Sequence, residues 1–232
     1  MRRVFIVFLS LILVCSIAGC RNSEERKEQT SSSKSTAQKK NDSKTSADRQ
    51  GNGKVLVAYF SWADNVKPDE DVDAVTSPSV TSPGNVQELA GWVQEETEGD
   101  LFSIRVKDPY PGNWDDCLER ANEERGKDAR PALEDRVENL DEYDVVFLGF
   151  PNWWYGVPMP LLSFLEENDL SGKQVYLFCS HGTGGLADSV NIITEALPDA
   201  EISEDVFDCY EEDAGSSEGE IKDWVSETGY GK

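Results

Sequence analysis

From residue 54 onward, short continuous apolar runs alternate with stretches whose apolar residues recur at helical spacing. That alternation is what βαβ units require, and it leaves few other folds open. Val55-Leu56-Val57-Ala58-Tyr59-Phe60 is too short and too apolar for a surface helix and suits a strand covered on both faces of a parallel sheet. Runs of the same kind occupy residues 101–106, 144–150 and 175–179, and a weaker fifth centres on Val206-Phe207. Between them, Val86, Leu89, Ala90 and Val93 fall at i, i+3, i+4 and i+7, as do Pro158, Leu161, Leu162 and Leu165, and Ile221, Trp224, Val225 and Thr228. Leu186, Val190, Ile193 and Leu197 form a further stripe, and residues 114–125 a helix with a thin apolar face. Five strands alternating with five helices predict an α/β, doubly wound three-layer sandwich over residues 54–232 with right-handed crossovers.

The N-terminal part reads differently. Met1-Arg2-Arg3 precedes an apolar run over residues 4–17, shorter than the roughly 20 residues of a spanning helix and closed by small residues, which is secretory-signal chemistry. Ile17-Ala18-Gly19-Cys20 resembles the bacterial lipoprotein signal. That resemblance implies a signal peptide over residues 1–19, cleavage before Cys20, and lipidation of its thiol, with an uncleaved anchor as the alternative. Residues 21–54 contain no Val, Ile, Leu, Met or aromatic side chain. Such a segment buries nothing, so residues 20–53 are expected to form a polar tether with a reach of about 30 Å. The expected location is exported, lipid-anchored to the membrane, at the outer face of the cytoplasmic membrane.

Charge removes a class of partner. The balance of 22 basic against 45 acidic residues, net −23, repels nucleic-acid phosphates, so no nucleic acid is expected to bind. Of five cysteines, Cys117, Cys179 and Cys209 lie in the globular part; three is odd, so at least one thiol is expected to be free. With one histidine and no CxxC spacing, no metal site is expected.

In doubly wound sheets ligands sit beyond the carboxyl ends of the strands, which singles out three loops. After the first strand, Ser61 is followed at a distance by Ser82-Pro83-Gly84-Asn85-Val86, a helix start whose free N–H groups and positive dipole end suit an anion; ordinary helix-start chemistry explains it equally. After the third strand comes Pro151-Asn152-Trp153-Trp154-Tyr155-Gly156. Three successive aromatic side chains of an extended segment cannot all face the core, so at least one ring is expected at the surface, as a platform for a planar heterocycle or as a cap or partner contact. After the fourth strand, Ser180-His181-Gly182-Thr183-Gly184-Gly185 lets the backbone approach a ligand closely, a plain turn being the alternative.

Together the three loops offer a phosphate end, an aromatic wall and a backbone cradle. Tyr59-Phe60-Ser61, the Gly149-Phe150-Pro151-Asn152-Trp153-Trp154 loop and the glycine-rich loop resemble the flavodoxin-like family, in its short, often exported branch. The resemblance covers residue 54 to the C-terminus and implies a flavodoxin-like five-stranded parallel sheet of order 2-1-3-4-5 and FMN as a non-covalent cofactor. Ser61, Gly84, Asn85 and Val86 would then hold the phosphate. Residues Pro151, Asn152, Trp153, Trp154, Tyr155 and Gly156 would flank the ring system, and Ser180, His181, Gly182, Thr183, Gly184 and Gly185 would close over its other edge. Two departures stand out: Pro83 and Val86 replace threonines of the family's phosphate turn, and residues 66–82 are inserted before it. The implied function is electron transfer, singly or to a quinone-like acceptor, with a redox partner that the sequence does not identify. The alternative is a flavodoxin-shaped module that has lost FMN and binds another ligand or partner. A thiol–imidazole hydrolase pair, Cys179 with His181, is a third and weaker reading.

Overall fold

In the computed structural model, the described residues are 53–68 and 70–232. The expected signal peptide, the Cys20 lipidation site and nearly all of the tether lie outside them. Strand β1 (Val55–Tyr59) is followed by α1 (Asn85–Thr97), β2 (Asp100–Ser103), α2 (Trp114–Gly126) and β3 (Val145–Pro151). Then come α3 (Met159–Glu167), β4 (Gln174–His181), α4 (Ser189–Ala196), β5 (Glu201–Ile202), β6 (Phe207–Tyr210) and α5 (Glu218–Glu227). The sheet is parallel throughout, in the order β2-β1-β3-β4-β5, with β6 also paired to β4.

Period-two alternation sends the side chains of each central strand into two separate cores. Val55, Val57 and Tyr59 of β1 and Val145 and Phe147 of β3 meet the α1 stripe Val86, Leu89, Ala90 and Val93 and the α5 stripe Ile221, Trp224 and Val225. The intervening residues, Leu56 and Ala58 of β1 and Val146, Leu148 and Phe150 of β3, pack on the opposite face against Leu161, Phe164 and Leu165 of α3 and Ile193 of α4. Every residue of β1 and β3 is buried, as strands covered on both faces must be. The sandwich is the one the apolar pattern predicts, and the strand order is the one the family resemblance implies.

The departures are local. The second strand ends at Ser103 rather than running through residue 106, because the chain turns away: Val106 bridges antiparallel to Leu133 instead. The fifth position of the sheet is not one strand but two short ones, β5 and β6, each paired to a different stretch of β4. The inserted segment is solvent-exposed at residues 70–72 and tied to the body of the domain on either side of them. Val66 bridges to Tyr110, the Asp73 N–H donates to the Gly112 carbonyl, and a 3-10 turn at Pro78–Val80 brings its end against the start of α1. Cys117, Cys179 and Cys209 are all buried free thiols.

Candidate functional site

Chain order reverses between β1 and β3, since the chain leaves β1 toward β2 on one side and returns to β3 on the other. A crevice opens where the two loops part. There lies a cavity of about 380 Å³, of the size small-molecule sites take.

The wall after β3 is built by strain. Trp153 and Gly156 exchange both backbone hydrogen bonds, Trp153 N–H to Gly156 O at 3.1 Å and Gly156 N–H to Trp153 O at 3.0 Å, which closes a two-residue hairpin. The residues between them, Trp154 and Tyr155, stand at φ 54° and 60°. Positive φ at both central positions marks the primed turn usually made by Asn-Gly. Bulky aromatics there are costly, at about 1 to 2 kcal/mol per residue, and such strain gathers at functional positions. The turn divides the three rings. Trp153 faces inward, edge-on to Phe60 and Tyr110 with centroids 5.5 and 5.4 Å away. Trp154 and Tyr155 line the cavity, and Tyr155 is 67% exposed.

The glycine-rich loop faces this turn. A Cβ on Gly184 would stand 3.1 Å from two atoms of the Tyr155 ring, which would have to give by a few tenths of an ångström, so the glycine lets the two loops close up. Asn152 Nδ2 donates to Gly185 O at 2.7 Å and the Ser189 hydroxyl donates to Gly156 O at 2.8 Å, so the two loops are stitched together. Among the described residues, the N–H groups of Gly182, Thr183 and Gly184 donate to no protein acceptor and remain free for a ligand. His181 closes the rim. Its Nε2 lies 2.8 Å from Asp208 Oδ2 and its Nδ1 2.8 Å from Gly182 O, leaving neither nitrogen for Cys179. Cys179 is fully buried, and burial pushes its thiol well above the ordinary range, so a thiolate–imidazole nucleophile has no basis here.

At the far end, Gly84 caps α1. Gln87 Oε1 accepts from its N–H at 3.2 Å, half of a capping box, while the N–H groups of Asn85, Val86 and Gln87 have no protein acceptor among the described residues. None of Ser61, Gly84, Asn85 and Val86 lines the cavity itself. They stand one layer behind it: a Cβ on Gly84 would meet Ser61 Oγ at 2.5 Å and Ser79 O at 2.8 Å. Asn85 Nδ2 donates to Ser180 Oγ at 3.2 Å and to Glu211 O at 2.8 Å, locking the helix start to the ends of β4 and β6. Gly156 and Gly185 likewise support the lining through their carbonyls. The expected residues in the lining are Pro151, Asn152, Trp153, Trp154, Tyr155, Ser180, His181, Gly182, Thr183 and Gly184.

Other lining residues were not anticipated. The inserted segment supplies Ser77 and Ser79, and the residue after β6 supplies Glu211. Trp62 lines the floor with Trp114, ring centroids 6.0 Å apart. Trp114, Cys117, Leu118 and Ala121 of α2 complete it, at spacing i, i+3, i+4 and i+7. That spacing was the available signal: the face of α2 too thin to be a core stripe is a cavity wall. Burial pushes the Cys117 thiol up to about 12, so it lines the site as a neutral group.

A three-layer α/β sandwich with a cavity at its β1/β3 switch point, walled by aromatics and free amides, defines the flavodoxin-like class of mononucleotide-binding folds. The comparisons agree. The flavodoxin family model matches residues 54–228, and the chain belongs to that family. Flavodoxin 1 of Escherichia coli (strain K12) is 31% identical over 93 residues, which cover 37% of this chain and 51% of the relative. The chain thus spans about half the length of the curated relatives it matches. A candidate flavoprotein from Bacteroides eggerthii superposes with a TM-score of 0.57 at 26% identity, over 75% of this chain and 97% of that one. A flavoprotein from Lactobacillus acidophilus NCFM, solved in complex with FMN, shares the fold with a TM-score of 0.50 at 14% identity, over 72% of this chain and 99% of that one.

Proposed function

We propose that this protein binds FMN in the cavity at the β1/β3 crevice and serves as an electron-transfer flavoprotein. The observation that carries the reading is the strained turn holding Trp154 and Tyr155 across from the unpaired N–H groups of Gly182, Thr183 and Gly184. A flat ring with carbonyl acceptors on one edge fits between them: aromatic faces stack on the ring, and backbone amides meet the acceptors. The missing Cβ of Gly184 keeps Tyr155 close enough for this.

FMN, when bound, accepts and donates electrons one or two at a time. The chain's own residues then set access and energetics. Trp154 and Tyr155, which line the cavity, would cover the ring system and limit water. The loop amides favour negative charge at the edge they touch, while Glu211 at the cavity opposes it, so the protein tunes how readily the bound group takes electrons. The relative with FMN in its structure supports the choice of cofactor.

A second reading, a flavodoxin-shaped module that takes another flat ligand, draws on the lack of any Lys or Arg in the cavity lining. Titrating the purified protein with FMN while following tryptophan fluorescence decides between them. Quenching that saturates supports the flavoprotein, and the loaded protein is yellow; no response supports the module. We also propose export and lipid anchoring through Cys20, on the strength of the leader sequence. Cys20→Ala is expected to abolish incorporation of labelled palmitate in cells; retained labelling counts against it.

A further inference from the structure

The end of the cavity nearest the α1 N-terminus carries a carboxylate where a phosphate-binding site would be expected to carry donors. Glu211 lines the cavity, and its backbone is pinned on both sides: its N–H donates to His181 O at 2.8 Å, and its carbonyl accepts from Asn85 Nδ2 at 2.8 Å. Glu211 Oε1 lies 3.7 Å from the place a Cβ on Gly182 would take, and Oε2 accepts from the Ser77 hydroxyl at 3.4 Å. The Ser77 and Ser79 hydroxyls are 2.7 Å apart, so with Ser77 donating to Glu211, Ser79 donates to Ser77. The inserted segment therefore brings two hydroxyls to the cavity, with the Ser77 proton on Glu211 and the Ser79 proton on Ser77. Among the described residues no Lys or Arg lines the cavity, and His181 there faces the Asp208 carboxylate and Gly182 O.

The free N–H groups at the α1 start offer an anion about half an elementary charge. Glu211, held next to that start through the Asn85 bond to its carbonyl, brings a carboxylate to the end of the cavity on which the dipole would act. We propose that Glu211 fixes the ligand preference of this site by cancelling the attraction for a phosphate, so that a flavin is held by its ring system and riboflavin binds about as tightly as FMN. This rests on the reading of the cavity as a flavin site and adds to it which part of the flavin is recognised.

The test compares dissociation constants of FMN and riboflavin for the purified full-length protein, Glu211→Gln and Glu211→Asp, by fluorescence titration. In the wild-type protein the two constants are expected to agree within about fivefold. Removing the charge in Glu211→Gln is expected to tighten FMN roughly tenfold or more, as a like charge at contact range in a partly shielded site implies. Riboflavin affinity, measured on the same variant, is the reference against which the FMN shift is read, and a wild-type circular-dichroism spectrum shows that the variant is folded. Glu211→Asp, which keeps the charge, is expected to keep the wild-type ratio. A wild-type protein that prefers FMN by a hundredfold, or a ratio that Glu211→Gln does not move, overturns the proposal while leaving the flavin site standing. Binding of neither flavin by any of the three overturns the flavin site itself, and the proposal with it.

Discussion

Gly84→Ala is a sharp test of how the insertion and the α1 start fit together. Gly84 has φ −75° and ψ 159°, a conformation alanine adopts freely, so any cost is steric. The new Cβ would stand 2.5 Å from Ser61 Oγ, 2.8 Å from Ser79 O and 2.9 Å from Ala63 Cβ. Rotating Ser61 clears the first contact. The other two come from separate backbone segments, and each must retreat by roughly half an ångström to reach ordinary contact, a displacement typical of overpacking that costs about 1 to 3 kcal/mol. Alanine is also the poorer N-cap, by a further 0.5 to 1 kcal/mol or so. The sum is about 1.5 to 4 kcal/mol, which for a domain of this size is a fall in Tm of roughly 3 to 16 °C. Urea unfolding followed by tryptophan fluorescence measures it. A midpoint within about 0.5 kcal/mol of wild type would refute the packing described for this junction.

Three further expectations can be checked on the same protein. Gly149→Ala places a Cβ 2.3 Å from two atoms of the fully buried Phe178 ring and should cost about 2 kcal/mol, with Phe178→Leu recovering part of it in the double variant. Trp154→Ala should weaken FMN binding roughly three- to tenfold, the worth of one aromatic contact, as read by equilibrium titration. Burial raises Cys209 to about 11, above an unfolded thiol near 8.5, so its contribution is complete below pH 8.5 and is lost as pH rises toward 11. A urea-midpoint series should show that alkaline loss, on the order of 2 kcal/mol, diminished in Cys209→Ala.

The central strands and the helical stripes were legible because burial on both faces leaves runs such as Val55-Leu56-Val57 and Val145-Val146-Phe147 no other place to go. The edge was not: Val206-Phe207 marks the start of β6, but nothing in composition tells where a strand paired on one side is interrupted. At the site, the three loops could be read from glycine and aromatic clusters. Which of Trp153, Trp154 and Tyr155 turns inward could not, because positive φ at Trp154 and Tyr155 contradicts what those side chains prefer and is imposed by the fold. Glu211 was hidden for a different reason. In Glu211-Glu212-Asp213 it looks like part of a solvated acidic face, and only the pairing of β6 with β4 carries it to the cavity.

The division of the fifth position into β5 and β6 bears on how copies of this protein meet. An incoming strand would need an unbroken row of amides and carbonyls to pair with. It meets two residues of β5, then the turn-forming Ser203-Glu204-Asp205 with its two acidic side chains, then four residues of β6. The opposite border, β2, is itself four residues long. Neither border is a long template for pairing edge to edge with a second copy, so a high local density of molecules meets a built-in barrier to fibrous self-association.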